Sequence, residues 1–212
     1  MLKFSKSKYI ILVVVAIMVF GTMSNFVNAK EYDWDKLEIT YKNFIANPNC
    51  KQQQNLLKVL PDQKIETADS EVLDYILTNL SNLEELAKRG DLAAINILFK
   101  LNLLTDGAYS EQISIVLGSV ISNHPQEFLY ALENNFSTVV RVDSLLGNLG
   151  TEYVDNVEKS VAELERRYGA IKEVDNVPEQ MRNLCLYELG RQIFESRRDI
   201  IHLNGNQKML EN

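Results

Sequence analysis

Between Ser81 and Asn135, apolar residues recur every three or four positions in four short runs, each closed by a turn signal. Ser81-Asn82-Leu83-Glu84 reads as a capping box, with Leu83, Leu86 and Ala87 behind it and Gly90 as the left-handed stop. Asp91 caps the next run, whose inward face is Ala94, Ile95, Leu98 and Leu101. Thr105-Asp106-Gly107 turns the chain into a third stripe of Ile113, Leu117, Val120 and Ile121. His124-Pro125 opens a fourth, with proline at the first helical position and Phe128, Leu129 and Leu132 facing in.

The flanks follow the same period. Trp34, Leu37, Tyr41, Phe44 and Ile45 predict a first helix, and the spacing of Trp34 with these groups assigns it to the core. Asn47-Pro48-Asn49 caps a second helix through Leu56, Leu57, Val59 and Leu60, which Pro61 ends. Asp69 or Ser70 starts a third, with Val72, Leu73, Ile76 and Leu77. Phe136-Ser137 begins a short helix through Val139, Val140, Leu145 and Leu146. Two longer helices end the chain. The first carries an a/d seam of Val154, Val157, Val161, Leu164, Tyr168 and Ile171. Its Glu163–Arg167 ion pair is expected to contribute a few tenths of a kcal/mol. The second carries Met181, Cys185, Leu189 and Ile193 until Asn204-Gly205 stops it. No long period-two alternation suggests a sheet. The expected fold is all-α: stacked antiparallel short helices followed by two longer ones.

The N-terminus changes the picture. Lys3, Lys6 and Lys8 precede an unbroken apolar run from Ile10 to Phe20, and Val27-Asn28-Ala29 supplies small residues for a signal peptidase. The apolar stretch falls short of the about 20 residues a membrane span needs. Residues 1–29 are therefore expected to be a cleaved bacterial-style secretory signal, 30–204 a single helical domain and 205–212 a disordered tail. Localisation follows: exported, periplasmic or secreted. Without its three leader lysines the chain has 19 basic residues against 29 acidic ones, a charge of −10. That balance argues against nucleic acid and, after signal cleavage, against an anionic membrane; it leaves room for a protein partner, a basic one included, although most acidic surfaces are simply solvated. The oligomeric state is left open.

Export would place Cys50 and Cys185 in an oxidising compartment. In a stack of helices the first and last layers stay apart, so both thiols are expected to be free. No CxxC or HExxH spacing accompanies them, and no cofactor or metal is expected.

Leu83-x-x-Leu86-Ala87-x-x-Gly90-Asp91-x-x-Ala94-x-x-x-Leu98 resembles one unit of the HEAT-like and armadillo-like α-helical repeats. That resemblance implies a HEAT-like α-α superhelix and, by analogy, protein binding.

Catalytic chemistry is hard to place on this chain. His124 is read as a turn or cap residue beside Pro125, and no nucleophile stands at a readable spacing. Glu195, Asp199 and His202 share one side of the last helix, a pattern that exposed charged turns also produce. From Leu101 to Val140 there is no Lys or Arg, whereas Asp106, Glu111, Glu127 and Glu133 supply negative charge. The preferred reading is a central layer covered on both flanks. The functional alternative is an acidic, apolar-rimmed patch for a cationic protein, made by those four residues. The function expected is a non-enzymatic exported helical-repeat protein that binds another protein, in an inhibitor or immunity-type role. The alternative is a hydrolase with carboxylates assembled from distant helices.

Overall fold

The computed structural model describes residues 32–65, 69–137 and 141–210, with side chains to residue 201. The expected leader, 1–29, lies outside the described residues. The chain divides into two units, 1–33 and 34–212, and every described helix lies in the second. Its helices are α1 (Trp34–Ala46), α2 (Cys50–Val59), α3 (Ser70–Thr78), α4 (Ser81–Lys88) and α5 (Leu92–Asn102). Then come α6 (Gly107–Ile121), α7 (Pro125–Asn135), α8 (Val142–Gly147), a 3-10 turn (Thr151–Tyr153), α9 (Val157–Glu173) and α10 (Glu179–Leu210). The fold is all-α, with no strand among the described residues. No described helix is long and apolar enough to cross a membrane.

Local chemistry explains most helix starts. Asn49 accepts from the Gln52 amide, Asp69 from those of Glu71 and Val72, and Asp91 from that of Ala94 at 2.9 Å. Pro125 stands in the first turn of α7, where its missing N–H costs nothing. The predicted capping box at Ser81 does not form. Leu80, fully buried and in helical conformation, is the N-cap, so Ser81 lies within the helix and makes no capping bond. Burial of the Leu80 side chain holds the chain in a helical turn, and the Leu83 and Glu84 amides bond to the Leu80 carbonyl instead.

Packing centres on α5, which touches α2, α4, α6 and α7. Its predicted face is buried, and so are Ile97 and Phe99, because neighbours cover the helix on several sides. Tyr41 ties α1 to the end of α3, donating to the carbonyls of Ile76 and Asn79. Trp34, expected in the core, is only half-buried. In the C-terminal part α9 pairs with α10, while α10 also packs on α8 and α7. Tyr130 of α7 donates to the carbonyl of Asn176, whose φ of 55° is the left-handed turn that asparagine tolerates.

Three expectations about the C-terminal part change. The helix predicted from Phe136 starts only at Val142, and residues 138–140 lie outside the described ones. Val154 is no seam residue: it follows the 3-10 turn and is 74% exposed, whereas Val161, Leu164 and Ile171 are buried. The last helix runs through Asn204-Gly205 to Leu210, because a lone glycine costs a helix only about 1 kcal/mol and does not by itself end one. Residues 211–212 of the expected tail lie outside the described ones. Both cysteines are free, Cys50 exposed and Cys185 buried, in agreement with the expectation for the thiols.

Candidate functional site

Where α5 ends, the chain turns sharply. Asp106 is extended and Gly107 takes a φ of 53°, a left-handed conformation suited to glycine. Asp106 occupies the N-cap of α6, but its carboxylate makes no capping bond. The turn opens a cavity of about 430 Å³ between the end of α5, the first half of α6 and α8. Phe99 and Leu103 line its apolar side, and Asp106, Glu111, Ser114, Ser144 and Asn148 bring polar groups to it. Within the wall, the Ser110 hydroxyl donates to Asn102 Oδ1 at 2.9 Å. At the mouth Arg141 pairs with Asp143 at 3.0 Å, and that bond holds the Asp143 carboxyl below the usual range.

Two further clefts adjoin this cavity. One, of about 310 Å³, shares Lys64, Thr105 and Asp106 with it and adds Asp74, which accepts from the Tyr109 phenol at 2.7 Å. The other, of about 480 Å³, shares Glu111 and Asn148 and adds Glu195 and Asp199 of α10. Linked by these shared residues, the three clefts are treated as one trough, lined by residues of α3, α5, α6, α8, α9 and α10. Its described lining holds five carboxylates (Asp74, Asp106, Glu111, Glu195 and Asp199) against Lys64 and Arg141. Glu195 is engaged by Arg191 at 2.9 Å, and Asp199 lies 4.0 Å from Arg198. The Asp106 and Glu111 carboxylates have no hydrogen-bond or ion-pair partner among the described residues, although the Asp106 backbone carbonyl accepts from the Ser110 amide.

Asn148 owes its place to a buried ionic network. Arg167, 2% exposed, donates to the carbonyls of Leu146 at 2.7 Å and Asn148 at 3.2 Å, tying down the end of α8. Glu163, also buried, accepts from Arg167 at 3.1 Å, from Arg166 at 2.8 Å and from the Ser122 hydroxyl at 3.0 Å. Burial pushes the Glu163 carboxyl up, but the bonds from Arg166 and Arg167 outweigh it and leave it below its ordinary value. Gly118 makes room for this: a Cβ there would lie 2.6 Å from Arg167 Nη1 and 3.0 Å from the Asn148 carbonyl. Gln192 of α10 adds a second tie, donating to the Asp143 carbonyl at 2.8 Å.

The expected surface of four acidic residues divides. Asp106 and Glu111 share one cavity, while Glu127 and Glu133 stand on α7 and line none of the three clefts. Among the described residues no group of three His, Cys, Asp or Glu is placed to hold a metal, and the His202 side chain lies outside them. The His124 ring packs over Gly90, where a Cβ would meet Nδ1 at 2.5 Å. Sequence reasoning missed Ser114, Ser144 and Asn148. A signal that could have pointed to this region is Gly118, a glycine inside an apolar helix, where a close approach to α6 is one reading.

Comparison of the chain with protein-family models, with curated proteins and with solved structures returned no match.

Proposed function

We propose that the helical domain is a non-enzymatic binding module that is exported and takes a basic segment of another protein along the trough. One observation carries this: Asp106 and Glu111 lie in adjoining clefts with neither carboxylate paired inside the described chain. Both carboxylates are exposed at the rim of concave surroundings and no described Lys or Arg bonds to either, so a cationic partner can engage them without breaking an existing pair. The acidic balance of the chain and its modest size suit an inhibitor or immunity-type role. A hydrolase would draw on Glu111, Glu195 and Asp199, which all line the larger cleft, but Glu195 is already engaged by Arg191.

The test is capture from periplasmic and secreted fractions at low and at high salt. Captured protein should be released by salt, since exposed charges are screened beyond about 8 Å at physiological ionic strength. Asp106→Lys with Glu111→Lys should abolish capture while the melting temperature holds, and Glu127→Lys with Glu133→Lys should leave capture intact. Equal loss in both double variants would remove the trough from consideration.

A further inference from the structure

We propose that the cavity between α5, α6 and α8 is a socket for one guanidinium group, the side chain of an arginine on the partner; this rests on reading the trough as the binding surface. Ser114 is the observation that singles out this cavity. It is only 3% exposed, lies within α6, lines the cavity, and its hydroxyl has no hydrogen-bond partner among the described residues. No described side-chain nitrogen or oxygen is sealed away from solvent without a partner, so the Ser114 hydroxyl opens onto the cavity. A hydroxyl buried to this degree and left unbonded on a helix is a group awaiting a ligand or a water.

Of the other polar groups on the wall, the hydroxyls and side-chain amides can accept as well as donate, Lys64 and Arg141 only donate, and two groups only accept. Asp106 and Glu111 bring two unpaired carboxylates, about a turn and a half apart along α6. Ser144 and Asn148 add a hydroxyl and a side-chain amide from α8 and the residue after it. The Asn148 backbone carbonyl is already taken by Arg167, which fixes the residue in place. A guanidinium has five donors, no acceptor and a planar fork, so it can serve acceptors on two elements at once. An ammonium is a point charge with three donors and serves such a spread wall less well. Phe99 and Leu103 offer an apolar side for the stem and the flat face of the group. The volume, about 430 Å³, falls in the range of about 300–1,000 Å³ typical of small-ligand pockets. An anion fits poorly, because Lys64 and Arg141 are the only cations on the described lining and Arg141 is committed to Asp143.

The probes are the peptide acetyl-Gly-Arg-Gly-amide, its citrulline counterpart and agmatine, each titrated into the purified protein and followed by amide chemical shifts. The arginine peptide should shift Ser114 and Asn148 in a saturable, one-to-one manner. The neutral citrulline peptide should bind at least about tenfold more weakly, because it cannot make charge-assisted bonds. Asp106→Asn with Glu111→Gln, both exposed and isosteric, should lose the response with the melting temperature unchanged, and Ser114→Ala should weaken it several-fold. No shift at Ser114, or equal binding of the citrulline peptide, would overturn the socket. Agmatine binding without peptide binding would also overturn it, in favour of a free alkyl-guanidinium metabolite. If the peptide binds but no protein is captured, the socket stands and the partner reading falls. If a protein is captured through the trough while the peptide fails, the reverse holds.

Discussion

Glu163 and Arg167 carry more consequence than their spacing suggests. On an exposed helix such an i,i+4 pair contributes a few tenths of a kcal/mol. Here both members are buried, and Arg167 also holds the end of α8. Removing one partner strands a buried charge, which typically costs about 3–5 kcal/mol. Glu163→Ala should therefore lower the melting temperature by roughly 10 °C in a chain of this size, as read by calorimetry. A drop of only a degree or two would show that water reaches Arg167. Because the folded-state value of Glu163 lies below its ordinary one, its contribution is present at neutral pH and is lost as pH falls through the lowered value. The deficit of Glu163→Ala should accordingly shrink in acid, below the usual glutamate range. Gly118→Ala tests the same place from α6. The added methyl must displace Arg167 or the Asn148 carbonyl, so it should destabilise by about 1–3 kcal/mol despite alanine's better helix propensity. The two thiols provide an independent check on burial. Cys50 is exposed and should react with a thiol reagent at once, whereas burial pushes the Cys185 thiol up to about 12, so it should react only on unfolding. Two fast-reacting thiols in the native protein would place Cys185 outside the core.

At the scale of single helices, features that depend on neighbours in sequence were legible and those that depend on distant residues were not. Asp69, Asp91 and Pro125 mark their helix starts because a cap acts within three residues. The predicted stripes of α5, α6 and α7 are buried as their period indicates, but the added burial of Ile97 and Phe99 on α5 comes from neighbours that the period does not show. Ser81 misled because its sequence satisfies the capping pattern, while burial of Leu80 one residue earlier decides the backbone. Substitution separates the two cases. Asp91→Ala should cost about 1 kcal/mol and Ser81→Ala only a few tenths, measured by denaturant unfolding; comparable losses would restore the capping box. The same distinction governs the site. Asp106 and Glu111 stood out through the missing basic residues around them. Ser144 and Asn148 come from α8 and just beyond it, and nothing in the order of residues says that this short helix returns to α6. The burial of Glu163 was hidden too, since its spacing to Arg167 is the same on a wet surface as in a core.

For the whole molecule, the informative helix contacts are those that skip along the chain. In an array whose units touch only their neighbours, segments can melt separately and cooperativity can fail as the array lengthens. Here α2 reaches past α3 and α4 to α5, α6 touches α4 and α9 as well as its neighbours, and α10 touches α7. Any cut between the N-terminal and C-terminal helices therefore exposes buried faces on both sides. Through Arg167, the α9–α10 pair is tied to the end of α8 and, by way of Glu163 and Ser122, to α6. The protein beginning at Lys30, the N-terminus expected after export, should unfold in one transition, with far-ultraviolet and near-ultraviolet signals coinciding. Glu163→Ala should move that entire transition downward rather than split off an early step. A first transition that melts α9 and α10 alone, leaving the Trp34 and Tyr41 signals unchanged, would mean that the C-terminal pair is an appendage and the trough a boundary between separately stable parts.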